Sequence, residues 1–191
     1  MQIKHRIAYG SVPKDGGTFT FYRNTSPFLK EYGILMYCVS VGRENALLWE
    51  NNYADEYCIS LAENTYNVKK QAIAFTNWCK TNKIDMVMGI NSIGILSSIP
   101  HLPKNIRVVS RCANSFDHGY KITLSGLYRV HAIFAISKRL QTDLIKKYSV
   151  EKEKIFLIDN GINPDPYVKL KRKFNKKNIL ELGFVGRLEN I

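Results

Sequence analysis

Acidic residues are scarce in this 191-residue chain: 16 Asp and Glu face 28 Lys and Arg, a formal charge of +12. Such a surface favours phosphate, nucleic acid or anionic lipid; it constrains partners and leaves the fold open. No C-x-x-C pair occurs among the four cysteines, Cys38, Cys58, Cys79 and Cys112, and each sits in an apolar run. The expectation is four buried thiols in a reducing cytoplasm, with no metal and no disulfide. No apolar run approaches the ~18 residues of a membrane span, and "MQIKHRIAYG" is too short and polar for a signal peptide. A cytoplasmic chain is expected, free or lying on a membrane surface. The sequence also lacks a G-x-S-x-G elbow, an H-E-x-x-H pair, a Walker loop and the G-x-G-x-x-G fingerprint, so hydrolase, zinc-protease, P-loop and plain dinucleotide-binding readings lose their main support.

What is present is alternation. With 45% hydrophobic residues the chain can bury one full core plus a fragment. Strand-like runs appear at "IKHRIAYG", "ILMYCVSV" (34–41), "EYCISLA", "IDMVMGI" (84–90), "IRVVSRC" (106–112), "AIFAIS" (132–137) and "KIFLID" (154–159). Between them lie helical stripes. One carries Phe21, Tyr22, Thr25, Phe28, Leu29 and Tyr32, with Pro27 expected to kink or shorten it and Gly33 placed to end it. Others carry Val68, Ala72, Phe75 and Cys79; residues 121–130; and Leu140, Leu144 and Tyr148 within 138–148. Short helices between near-continuous apolar strands predict an α/β domain, a doubly wound, mostly parallel Rossmann-like sheet with helices on both faces. Its expected extent is 1–163. A proline- and lysine-rich stretch at 164–178 reads as a basic linker, and 179–191, "ILELGFVGRLENI", reads as the start of a second unit.

In an open parallel sheet ligands sit beyond the carboxyl ends of the strands. The loops there hold Gly16 and Gly17, Asn91, "SRCANSFDHG" (110–119), Ser137 with Lys138, and Asn160 with Gly161. A Gly-Gly pair opening a helix lets backbone approach a ligand and offers N–H groups to an anion; a tight turn would use the same pair. Asp117 beside His118 suits a base and its orienter, and equally a capping loop. His5, His101 and His131 read as structural residues.

The segments "DGGTFTFYRNTSPFLKEYGILMYCVSV", "IDMVMGIN", "AIFAISKRLQTDLIKKYSVEKEKIFLIDNGIN" and "LGFVGRL" together, in this order, resemble the family 4 (group 1) glycosyltransferases of the two-domain GT-B type. The resemblance implies the N-terminal, acceptor-side domain followed by the first strand of the donor-binding domain, whose remainder is missing. By that resemblance Gly16 and Gly17 form the loop approaching the diphosphate and acceptor, Ser137, Lys138, Asn160 and Gly161 line the cleft rim, and Arg187 contacts the donor diphosphate. The family often places a His just after the strand matching "RVVSRC"; here Ala113 or Asn114 stands there, and His118 follows four or five residues on. Asn114 and His118 are therefore the catalytic candidates. The implied reaction is hexose transfer from a nucleotide-diphosphate sugar to a glycan or lipid-linked acceptor, in cell-surface polysaccharide synthesis, with no metal and no cofactor besides the donor. Such chemistry needs both walls of a cleft, so the chain alone is expected to have little or no activity.

Two other classes compete. Lys169, Lys171, Arg172, Lys173, Lys176 and Lys177, with Lys69, Lys70, Lys80 and Lys83, fit a non-catalytic module for an anionic membrane surface or nucleic acid; the membrane is preferred because no nucleic-acid motif is recognisable. Alternatively the chain pairs with another that supplies the missing half.

Overall fold

The structure is a computed structural model that describes residues 2–89 and 92–162. The expected linker at 164–178, the strand at 179–185 and Arg187 lie outside the described residues, as does Asn91. Seven strands, β1 (His5–Gly10), β2 (Ile34–Val41), β3 (Cys58–Leu61), β4 (Met86–Met88), β5 (Arg107–Cys112), β6 (Ala132–Ala135) and β7 (Ile155–Leu157), form one sheet in the order β3-β2-β1-β4-β5-β6-β7. Every pairing is parallel. The doubly wound Rossmann-like α/β fold read from the alternation is therefore present, with six α-helices among the described residues in its connections: α1 (Gly17–Glu31), α2 (Arg43–Ala46), α3 (Val68–Thr81), α4 (Ile93–Ser98), α5 (Asp117–Leu124) and α6 (Lys138–Lys146).

Alternate residues of each strand feed two separate cores, which is why the strands read as continuous apolar runs. Ile7, Tyr9, Met36, Cys38, Met88 and Val109 pack with Phe19 and Tyr22 of α1. Ala8, Val39, Val41, Val87, Val108, Ile133 and Ala135 pack on the other face with Phe75 and Cys79 of α3, Ile95 of α4, Tyr120 of α5 and Leu140 and Leu144 of α6.

Several local expectations change. Pro27 does not shorten α1, which runs fifteen residues. Pro27 faces solvent, where water can satisfy the carbonyl one turn back that has lost its N–H partner. The buried stripe of α1 is also rotated from the expected one: Phe19 and Tyr22 are buried, while Phe28 and Tyr32 are exposed. The expected helix at 121–130 begins earlier, at Asp117, and stops at Leu124. Ser125 turns extended and Gly126 takes φ 70°, a left-handed conformation that ends the helix before a short 3-10 turn at Leu127–Arg129. Residues 42–55, which carry little periodicity, contain α2. Cys58 is only half-buried, unlike Cys38, Cys79 and Cys112.

His131 sets the register of β6 beside β5. Its N–H donates to the Val108 carbonyl (2.9 Å), and the Val108 N–H donates to its Nδ1 (3.1 Å). Burial, then the positive charges of Arg107 and Arg129, lower its pKa below the ordinary 6.5. The neutral ring is the folded form, so its contribution is complete above that ordinary value and is lost as pH falls through the lower folded value. Urea midpoints measured from pH 7 downward should fall faster in the wild type than in His131→Gln, which keeps an acceptor without titrating. Parallel curves would contradict this role.

Candidate functional site

The chain crosses from one face of the sheet to the other between β1 and β4: α1, after β1, packs on one core, and α3, before β4, on the opposite one. A crevice opens at the carboxyl ends of the strands at such a point. Here it is a cavity of about 420 Å³ lined by Ser11, Lys14, Gly16, Gly17, Asn45 and Ser92 on its polar side and by Leu48, Ile95 and Ile122 on its apolar side.

The floor depends on Gly10. A Cβ there would overlap the Gly89 carbonyl oxygen, so the ends of β1 and β4 approach as closely as two backbones allow. Above the floor, Gly16 sits at φ 145°, ψ 157°, a region open to glycine alone. Its carbonyl accepts the first helical bond from the Thr20 N–H (2.9 Å) and another from the Thr20 hydroxyl (3.0 Å). Among the described residues no side chain caps the first turn of α1. The N–H groups of Gly17, Thr18 and Phe19 thus remain the helix's own free donors, at the positive end of its dipole. Gly17 differs from Gly10: a Cβ added there meets nothing within 4 Å. Packing does not demand a glycine at that position, and the missing side chain leaves the helix end bare toward the cavity.

Tyr9 and Arg111 hold this turn in place. Tyr9 donates its hydroxyl to the Thr18 carbonyl (3.1 Å), and burial pushes its pKa up to about 12 against the opposing pull of Arg111. Arg111, at the end of β5, stacks its guanidinium 4.4 Å from the Phe21 ring centroid and donates to Asn160 Oδ1 (2.8 Å). Asn24 of α1 donates to the Gly161 carbonyl (3.3 Å). The stretch after β7 is thereby tied to α1, and Gly16 and Asn160 lie at the same, carboxyl, end of the sheet.

The other candidates are placed differently. Asn114 and His118 do not line the cavity. His118 lies exposed in the first turn of α5, stacked on Phe116 with centroids 6.5 Å apart and planes 2° from parallel. No hydrogen bond among the described residues joins it to Asp117. Ser137 accepts from the Leu140 N–H (3.3 Å) and so serves as the N-cap of α6, and Lys138 is exposed beside it. Lys14, Asn45, Ser92 and Ile122 are lining residues that no spacing in the sequence marks, because four separate loops and helices bring them together. For Arg111 the sequence did offer a signal, a cation closing an apolar strand.

No protein-family model matches this chain, and no curated protein matches it. Solved structures do. A glycosyltransferase from Rickettsia africae aligns with a TM-score of 0.64 and 19% identity over 88% of this chain and 46% of its own. MurG from Acinetobacter baumannii aligns at 0.53 and 13% identity, over 83% of this chain and 46% of its own. The fold is that of the N-terminal half of a GT-B glycosyltransferase. The GT-B fold is not confined to transferases: UDP-GlcNAc 2-epimerase from Methanocaldococcus jannaschii aligns at 0.54 and 18% identity, over 81% of this chain and 45% of its own. The chain spans about half the length of these GT-B neighbours.

Proposed function

We propose that this chain is the acceptor-side wall of a GT-B hexosyltransferase, acting with a donor-binding domain to move a hexose from a nucleotide-diphosphate sugar to a glycan or lipid-linked hydroxyl. The observation that carries the reading is the bare N-terminus of α1 at the cavity mouth, with Gly17 leaving room for a group to reach the N–H donors. A departing diphosphate is the chemistry that such a turn stabilises, with Lys14 adding charge from the same loop. The apolar side of the cavity, Leu48, Ile95 and Ile122, suits the body of the acceptor. Arg187 and the rim pair Asn160 and Gly161 complete the proposal as contacts from the donor side and the hinge. His118 and Asn114 enter only if α5 moves toward the cleft on closure.

Membrane association is a second part of the reading. Lys69, Lys70, Lys80 and Lys83 are exposed on and just after α3. Ile73, half-exposed, borders a separate, mainly apolar cavity of about 420 Å³ between α3 and α4. Cations around an apolar patch fit an anionic bilayer surface on the cytoplasmic side.

Turnover of a panel of labelled nucleotide-diphosphate hexoses tests the first part. The 191-residue chain is expected to be inactive, a version extended by a donor-binding domain active, and Gly17→Val in the extended version reduced about 100-fold or more with its melting temperature little changed. Equal rates for the short and extended chains, or a fully active Gly17→Val, would overturn the reading. Cosedimentation tests the second: binding to phosphatidylglycerol vesicles should be lost as salt rises and weakened by Ile73→Ser. Tighter binding to an oligonucleotide than to vesicles would contradict it.

A further inference from the structure

Cys38 and Cys58 are directly opposed in register on the neighbouring parallel strands β2 and β3. Directly opposed residues on adjacent strands lie about 5 Å apart at Cα and point to the same face, inside the span a disulfide bridges. Both belong to the core beneath α1. Their surroundings differ. Cys38 is fully buried, and its thiol donates to the Ser11 carbonyl at 3.5 Å. Cys58 is half-buried and forms part of the wall of a cavity of about 540 Å³, together with Trp49, Asn51, Ser60 and Glu63. This cavity lies at the β3 edge, apart from the cleft.

The turn before β3 supports a reactive sulfur. The Asp55 N–H donates to Cys58 Sγ (3.4 Å). The Asp55 carboxylate is held by the Tyr22 hydroxyl (3.0 and 2.9 Å) and the Tyr57 N–H (2.8 Å) and also accepts from the Cys58 thiol (3.4 Å), so it is the first acceptor for the proton that Cys58 sheds. The neighbouring Cys38 sulfur lowers the pKa of Cys58 against the opposing effects of burial and the Asp55 carboxylate, while the proximity of Cys58 and burial raise that of Cys38. One sulfur is half-buried at the cavity wall; the other is fully buried beside it on the neighbouring strand.

We propose that Cys58 and Cys38 form a redox-active dithiol, with Cys58 the site of attack by low-molecular-weight disulfides and Cys38 the resolving thiol. The Cys58 thiolate attacks one sulfur of the small disulfide, whose S–S bond breaks to release one thiolate and leave a mixed disulfide on Cys58. Cys38 then gives up its proton to the released thiolate, attacks Cys58 Sγ and expels the second small thiolate, which takes the proton originally shed by Cys58. The protein dithiol is oxidised by two electrons, and the small disulfide is reduced to two thiols. A bridge reached through the half-buried Cys58 at the cavity wall is open to small thiols, as a reversible switch requires. Closing it removes the S–H donor from Ser11, whose loop lines the cleft.

The test uses the wild-type chain. Under native conditions iodoacetamide should modify Cys58 about tenfold or more faster than Cys79 or Cys112, whose thiols burial raises, Cys79 to about 12. After incubation with glutathione disulfide, peptide mapping should show Cys38 joined to Cys58, reversed by dithiothreitol. Cys38→Ala should stop at the glutathione adduct on Cys58. The proposal is overturned if Cys58 reacts no faster than Cys79, if the wild type takes up no glutathione and forms no bridge, or if it keeps the adduct without passing to the bridge.

Discussion

Everything at the site depends on two backbones meeting at the carboxyl ends of β1 and β4. Gly10 permits that approach, Gly89 leaves room for the Tyr9 ring, and the chain leaves the two neighbouring crossovers on opposite faces of the sheet. A crevice is the unavoidable result, because no helix can cover the point where the winding reverses. Tyr9 then fixes what stands over the crevice. Its ring fills the core beneath α1, and its hydroxyl holds the Thr18 carbonyl, so the first turn of the helix is anchored from below and left open above. Burial and presentation are achieved by one side chain. Arg111 extends the arrangement sideways, tying the stretch after β7 to α1 through Asn160, Phe21 and the neighbouring Asn24–Gly161 bond.

The sheet was the legible part of the sequence. β2 runs over the residues its apolar run marks, and β5 over all but the first, because strands buried on both faces must be continuously apolar. The helices were harder. α2 and α4 span four and six residues, too few for a periodic stripe to stand out. The start of α5 hides in a polar segment that reads as a loop, and its end is set by Gly126. In α3 the buried face includes Gln71 and Thr76, polar residues that a search for apolar periodicity passes over.

At the site the same division holds. Gly16 and Gly17 carry their meaning locally, through a backbone conformation and an absent side chain, and so can be read from the sequence. Asn45, Ser92 and Ile122 become neighbours only when β2, β4 and β5 take their places in the sheet. Ser137, attractive as a rim residue, is spent on capping α6. Cys58 resembles the other three cysteines in its apolar setting and differs only because β3 is an edge strand. Fold likeness at 19% identity or below leaves the chemistry to such residues.

The bare end of α1 is, on this reading, an anion site facing the cleft. An amide NMR titration of the chain with inorganic pyrophosphate addresses it without needing the donor, the acceptor or a second domain. Saturable shifts led by the N–H groups of Gly17, Thr18 and Phe19 are expected, with smaller changes at Ser11 and Lys14. Shifts confined to the exposed lysines of α3, or none at the start of α1, would contradict it.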